Sequence, residues 1–119
     1  PLPVGLLVYG RLPLMETANC LIRNLGPCKN GAGSALRDRT GRVFPAACGH
    51  GCNNTLFNSV PLFLADRNRE WQETGVSFGR LLFTGESPEE IIRILRAYKL
   101  GTKEKPAAYT RGLYYRGVL

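Results

Sequence analysis

At 119 residues, 44% hydrophobic and 21% charged, the chain has the make-up of one ordinary folded domain and excludes a wholly disordered tail. No apolar run reaches the roughly 20 residues of a membrane-spanning helix, so no membrane partner is expected. The net charge of +7 is carried by twelve arginines against four lysines, which suits a phosphate-bearing partner such as RNA and equally a solvated basic surface.

In chain order, Val4–Tyr9 ("VGLLVY") reads as a buried strand, bounded by prolines and Gly10. From Arg11 to Gly33 no period is sustained, and the asparagines, Pro27 and glycines there predict mostly irregular loop. Ala35–Arg37 and Arg42–Pro45 flank Asp38-Arg39-Thr40-Gly41, where Gly41 can take the left-handed backbone of a short turn. A β-hairpin is expected there, leading into "CGHGC" at residues 48–52.

"NSVPLFLADRNREWQETG" reads as a helix capped by Ser59, with Pro61 in its first turn and Gly75 at its end. "VSFGRLLF", Val76–Phe83, is a strand by composition. Ser87 and Glu90 form a capping box, Ile91, Ile92, Leu95 and Tyr98 follow at helical spacing, and Gly101 stops the helix. Residues 102–119 are a basic, aromatic tail. The order predicts an α/β or α+β fold, a single domain over 1–119 with a mixed sheet and a hairpin. Its expected core is Leu7, Leu36, Phe44, Leu62, Leu81, Phe83, Ile91 and Leu95.

The four cysteines, Cys20, Cys28, Cys48 and Cys52, are spaced C-x7-C-x19-C-x3-C. Two disulfides would need an oxidising compartment, to which nothing in the chain points. Zinc favours close ligand pairs, which Cys48 and Cys52 approach with His50 between them, while Cys20 and Cys28 stand wide for that pattern. An iron–sulfur cluster accepts thiolates from separate turns. All three readings stay open on spacing, and a shared site requires Cys20 and Cys28 to reach the Cys48–Cys52 turn.

No complete catalytic set is present: there is no G-x-S-x-G, no H-E-x-x-H and no phosphate-cradling glycine motif. Asp38 and Asp66 each sit beside an arginine, which suggests ion pairs before catalysis. In the tail, Tyr109, Tyr114 and Tyr115 lie among Arg111 and Arg116. That interleaving suits stacking on exposed bases with phosphate contacts, and it equally suits a tail docked on the domain. Arg111, Tyr114, Tyr115 and Arg116 are the nucleic-acid candidates.

Six segments occur in order: "VYGRLPLM", "NC" at Asn19-Cys20, "LRDRTGRVFP", "LFNSVPLFLADR", "FTGESPEE" and "YTRGLYYRGVL". Together, over about Val8 to Leu119, the chain resembles the C-terminal region of the collagenase-like peptidases of unknown catalytic type, family U number 32. The resemblance implies part of a barrel-like α/β domain, cut from a protein several times longer whose N-terminal part is its partner. For activity it implies either collagen degradation or oxygen-independent hydroxylation of RNA bases or a quinone precursor, the latter with an iron–sulfur cluster on four cysteines.

Cys20, Cys28 and Cys48 fall where relatives place cysteines. Relatives carry C-x2-C near the second position, where this chain has Gly31, and Cys52 stands in as the replacement ligand. Arg11 and Arg23 flank the cysteine loop and would offset a cluster's charge. The expectation is a cytoplasmic RNA-modifying protein of which this chain is not by itself a complete enzyme. The alternatives are an accessory domain of a collagen-degrading protease, or a structural domain with zinc or no metal.

Overall fold

The chain folds, in the computed structural model, with residues 2–26, 28 and 34–116 described. In chain order the elements are β1 (Gly5–Gly10), β2 (Pro13–Thr17), α1 (Leu21–Leu25), β3 (Ala35–Arg37), β4 (Val43–Cys48), β5 (Asn54–Phe57), β6 (Leu62–Phe63), α2 (Asn68–Gln72), β7 (Phe78–Leu82) and α3 (Pro88–Leu100). Single 3₁₀ turns lie at His50–Cys52 and Ala65–Arg67. The class is α+β. The residues form two compact units: one runs up to Arg11 and resumes at Val60, and the other is Leu12–Ser59.

The first unit is built on a mixed sheet, β6-β1-β7. β1 runs parallel to β7, with Gly5 opposite Phe78 and Gly10 opposite Leu82, and antiparallel to β6, with Tyr9 opposite Phe63. Gly10 has φ of 133°, and a Cβ there would strike the Leu82 carbonyl oxygen, so glycine is required where the two strands end. Gly79 is required for another reason: a Cβ on it would meet the Trp71 ring at 2.7 Å.

The helix expected from Ser59 starts nine residues later, at Asn68. Leu62, Phe63, Leu64 and Ala65 are all buried, and four consecutive buried residues do not make a helical stripe. Leu62 and Phe63 instead pair with β1, and only the Asn68–Gln72 stretch turns helical before Gly75, at φ of 86°, ends it. The stretch from Arg11 also corrects the loop expectation, since β2 and α1 lie in it; Pro27, Asn30, Gly31 and Gly33 lie outside the described residues.

α3 follows its signals closely. The Ser87 hydroxyl accepts from the Glu90 amide at 3.2 Å, Glu90 Oε2 accepts from the Ser87 amide at 2.9 Å, and Gly101 follows the last turn. Its buried residue is Ile94, however, whereas Leu95 is 46% exposed. The inward stripe is Ile91, Ile94, Ala97 and Tyr98, one residue round from the Ile91–Leu95–Tyr98 line. Of the expected core only Leu62 is buried; Leu7, Leu36, Phe44, Leu81, Phe83 and Ile91 are half-buried.

The packed centre is Tyr9, Phe63, Ala65 and Ile94, with Tyr98 as a hub. The Tyr98 hydroxyl donates to the Val8 carbonyl and accepts from the Leu64 amide at 2.9 Å. Ile94→Ala is therefore expected to cost about 2–5 kcal/mol, and Leu95→Ala a small fraction of that. Urea unfolding of the two variants checks this, and equal midpoints would contradict the assigned stripe.

The second unit is an antiparallel sheet, β2-β5-β4-β3. The expected hairpin is there, with Leu36 opposite Phe44. Asp38 Oδ1 accepts from the Thr40 hydroxyl at 2.6 Å, the Thr40 amide at 2.8 Å and the Arg42 amide at 2.9 Å, and Gly41 takes φ of 85°. The carboxylate thus closes the turn rather than pairing with an arginine side chain, and these bonds, the Thr40 hydroxyl first, lower its pKa.

Candidate metal centre

Each thiol of the candidate site is placed by a different piece of the second unit. Cys20 caps α1, its sulfur accepting from the Arg23 amide at 3.3 Å. Cys28 follows α1 in the chain, and Cys48 is the last residue of β4. The three Sγ atoms lie within 4.8 Å of one another. All four cysteines are free thiols, and the Cys20 sulfur is buried.

Cys52 is not a member of this group. It is exposed, at the end of the 3₁₀ turn, with φ of 60°. The turn is closed by the Gly49 amide donating to the Asn53 carbonyl at 2.8 Å, and Cys48 pairs across the ladder with Asn54. "CGHGC" is thus the tip of the β4–β5 hairpin, from which only the first cysteine joins the cluster.

Proximity divides the protons unequally. The Arg23 amide and then the Asn54 side-chain amide stabilise the Cys20 thiolate and lower its pKa. Burial and then the neighbouring Cys28 thiol push Cys48 up to about 12, and its thiol is turned toward the Gly49 carbonyl. Cys20 therefore ionises before Cys48. Three soft sulfur donors converging this closely fit a thiophilic metal ion or an iron–sulfur cluster.

The spacing also bears on which. Zinc holds sulfur at ~2.3 Å, so two thiolates on one tetrahedral ion stand ~3.8 Å apart, within the span of this triangle. In a cluster with one thiolate on each iron, of the four-iron type, the triangle would have to open. Either way the described residues provide three protein ligands and leave one coordination position to another group.

Sequence reasoning missed Asn54, which is 1% exposed. An asparagine after Asn53 reads as turn material, and only the ladder register reveals that it faces the thiols.

The tail lies in the first unit. The Arg111 guanidinium holds Asp66 through two parallel bonds of 2.6 and 2.7 Å, donates to the Phe63 carbonyl at 2.7 Å, and lies 4.8 Å from the Tyr109 ring centre. Thr110 exchanges backbone bonds with Pro61 and Phe63 on the free edge of β6. Of the nucleic-acid candidates, Arg111 is thus engaged in the fold, Tyr114 is half-buried against Tyr115, and Tyr115 and Arg116 are exposed. The tail's last residues, 117–119, lie outside the described residues. No described helix is long and apolar enough to cross a membrane.

Comparison of the chain with family models, curated proteins and solved structures finds no match in any of the three.

Proposed function

We propose that the second unit holds an iron–sulfur cluster through Cys20, Cys28 and Cys48, as the cofactor-bearing C-terminal part of a longer cytoplasmic protein that modifies RNA. The observation that carries this reading is the convergence of three thiols from three separate segments. The resemblance to the collagenase-like peptidases contributes the cluster, the RNA substrate class, the oxygen-independent hydroxylation and the N-terminal partner segment. Free thiols agree with a reducing compartment. When bound, the cluster would supply one-electron redox chemistry, with Cys20, Cys28 and Cys48 as the residues that would hold it.

The chain's own contribution is to hold and charge the thiolates. The Arg23 amide and Asn54 favour ionised Cys20, and Cys48 must give up its proton when metal binds. RNA contact falls to exposed arginines, Arg116 among them, and to the exposed ring of Tyr115, since Arg111 is held by Asp66 and the Tyr115 hydroxyl already donates to Glu70 at 3.1 Å. A single zinc ion is the second reading, favoured by the narrow sulfur triangle. Collagen binding has no comparable support among these observations.

Anaerobic purification followed by metal and sulfide analysis and a visible spectrum decides between the readings. Iron with matching sulfide and a broad visible band is the expected result; zinc alone, or no metal after reconstitution, would reject the cluster. On the same preparation, single-stranded RNA binding should weaken steeply with salt. Tyr115→Ala with Arg116→Ala should reduce it without unfolding the chain, which removal of residues 107–119 would not guarantee.

A further inference from the structure

Asn54 is 1% exposed, and its amide is aimed at a sulfur. Its Nδ2 donates to Cys20 Sγ at 3.6 Å and to the Cys52 carbonyl at 3.5 Å, and its Oδ1 accepts from the Ile22 amide at 3.4 Å. The orientation is chemically determined. The Ile22 N–H can only donate, so it must face the oxygen, which leaves the NH₂ for the sulfur and the carbonyl.

One side chain therefore ties together the start of α1, the thiol that caps it and the hairpin tip beyond Cys48. Its backbone is fixed as well, because Asn54 stands opposite Cys48 in the β4–β5 ladder. Burying an amide costs stability unless its bonds are made, and here they are made to the metal-site loop.

We propose that Asn54 is a positioning residue for the thiolate centre: its amide orients Cys20 and donates to the metal-bound sulfur, strengthening metal binding and setting the electronic character of that sulfur–metal bond. This rests on the reading of Cys20, Cys28 and Cys48 as metal ligands. Hydrogen bonds to a ligand from outside the coordination shell govern affinity and electronic properties in metal sites generally. Asn54 touches no substrate and is not a ligand.

Anaerobic titration of the whole chain with cobalt(II) tests this, read by the thiolate-to-cobalt charge-transfer band and the dissociation constant. Asn54→Asp keeps the shape and the acceptor for Ile22, and when ionised replaces the donor with an oxygen that cannot donate. It should bind cobalt roughly 10–100-fold more weakly, with a displaced band and unchanged circular dichroism. Asn54→Ser, which keeps a donor, should recover part of the affinity and move the band back toward that of the parent. Wild-type affinity and band position in Asn54→Asp would overturn the role. Should Asn54→Asp fail to fold, Asn54→Leu, of similar volume and without a donor, decides instead, and parent affinity with an identical band would overturn the role. No cobalt uptake by the parent chain would reject a single-ion site on these thiols and this inference with it, while iron and sulfide analysis decides the cluster separately; equal uptake by parent and variant rejects only Asn54.

Discussion

Arg111→Ala is expected to lower folding stability by about 3 kcal/mol, because it strips a buried carboxylate of its bidentate partner and leaves it the looser Arg67 contact at 3.9 Å. The Asp66 side chain is 6% exposed and that of Arg111 19%, so little water reaches the pair to replace the missing guanidinium. The two parallel bonds, the third bond to the Phe63 carbonyl and the contact with Tyr109 are lost together. Arg111→Lys should recover only part, since an ammonium cannot form the planar fork.

The pair also predicts a pH dependence. Arg111 holds the Asp66 carboxyl below its ordinary value, so the folded state keeps the charge at acidities where the unfolded chain has taken up a proton. The contribution is complete above the unfolded value of about 3.9, and it is lost as pH falls through the lower folded one. The gap between the parent and Asp66→Asn should accordingly be full at neutral pH and shrink under strongly acidic conditions. Urea midpoints at the two pH values measure it. A gap that grows on acidification would contradict the assigned pairing.

The second large effect concerns the thiols. Cys20→Ser, Cys28→Ser and Cys48→Ser should each weaken metal binding by more than the roughly 10–100-fold that removing an outer hydrogen-bond partner costs. Cys52→Ser should leave it unchanged, since Cys52 is exposed and outside the group. Binding should also tighten as pH rises, because the raised pKa of Cys48 makes its proton a competitor of the metal. Metal content of the four variants after anaerobic reconstitution reads this directly. A loss at Cys52 equal to that at Cys48 would return the hairpin tip to the ligand set.

Where the sequence was legible, a local chemical signal specified the element. Asp38 and Gly41 announce the turn between β3 and β4, and Ser87, Glu90 and Gly101 mark both ends of α3. Where it was not, the deciding interaction lay far along the chain. Two residues of β6 become a strand only because Tyr9 and Gly10 lie alongside, and α1, five residues long, is too short to show a period. The choice of Ile94 over Leu95 is made by the surface α3 packs on, to which the helix's own spacing is indifferent.

The candidate site divides in the same way. Cys20, Cys28 and Cys48 could be singled out as residue types, but their meeting depends on α1 and β4, and the register that brings Asn54 to them has no trace in local composition. The compact "CGHGC" is dense in ligand-type residues, yet only Cys48 of it joins the thiol group. Density in sequence proved a poorer guide than position in the ladder.

That ladder separates the grip of the site from its ornament. Cys48 and Asn54 are anchored as partners on facing strands, so the residues between them span a gap whose two banks are already fixed. The tip can vary in content, and within limits in length, while the sulfur and the amide keep their places.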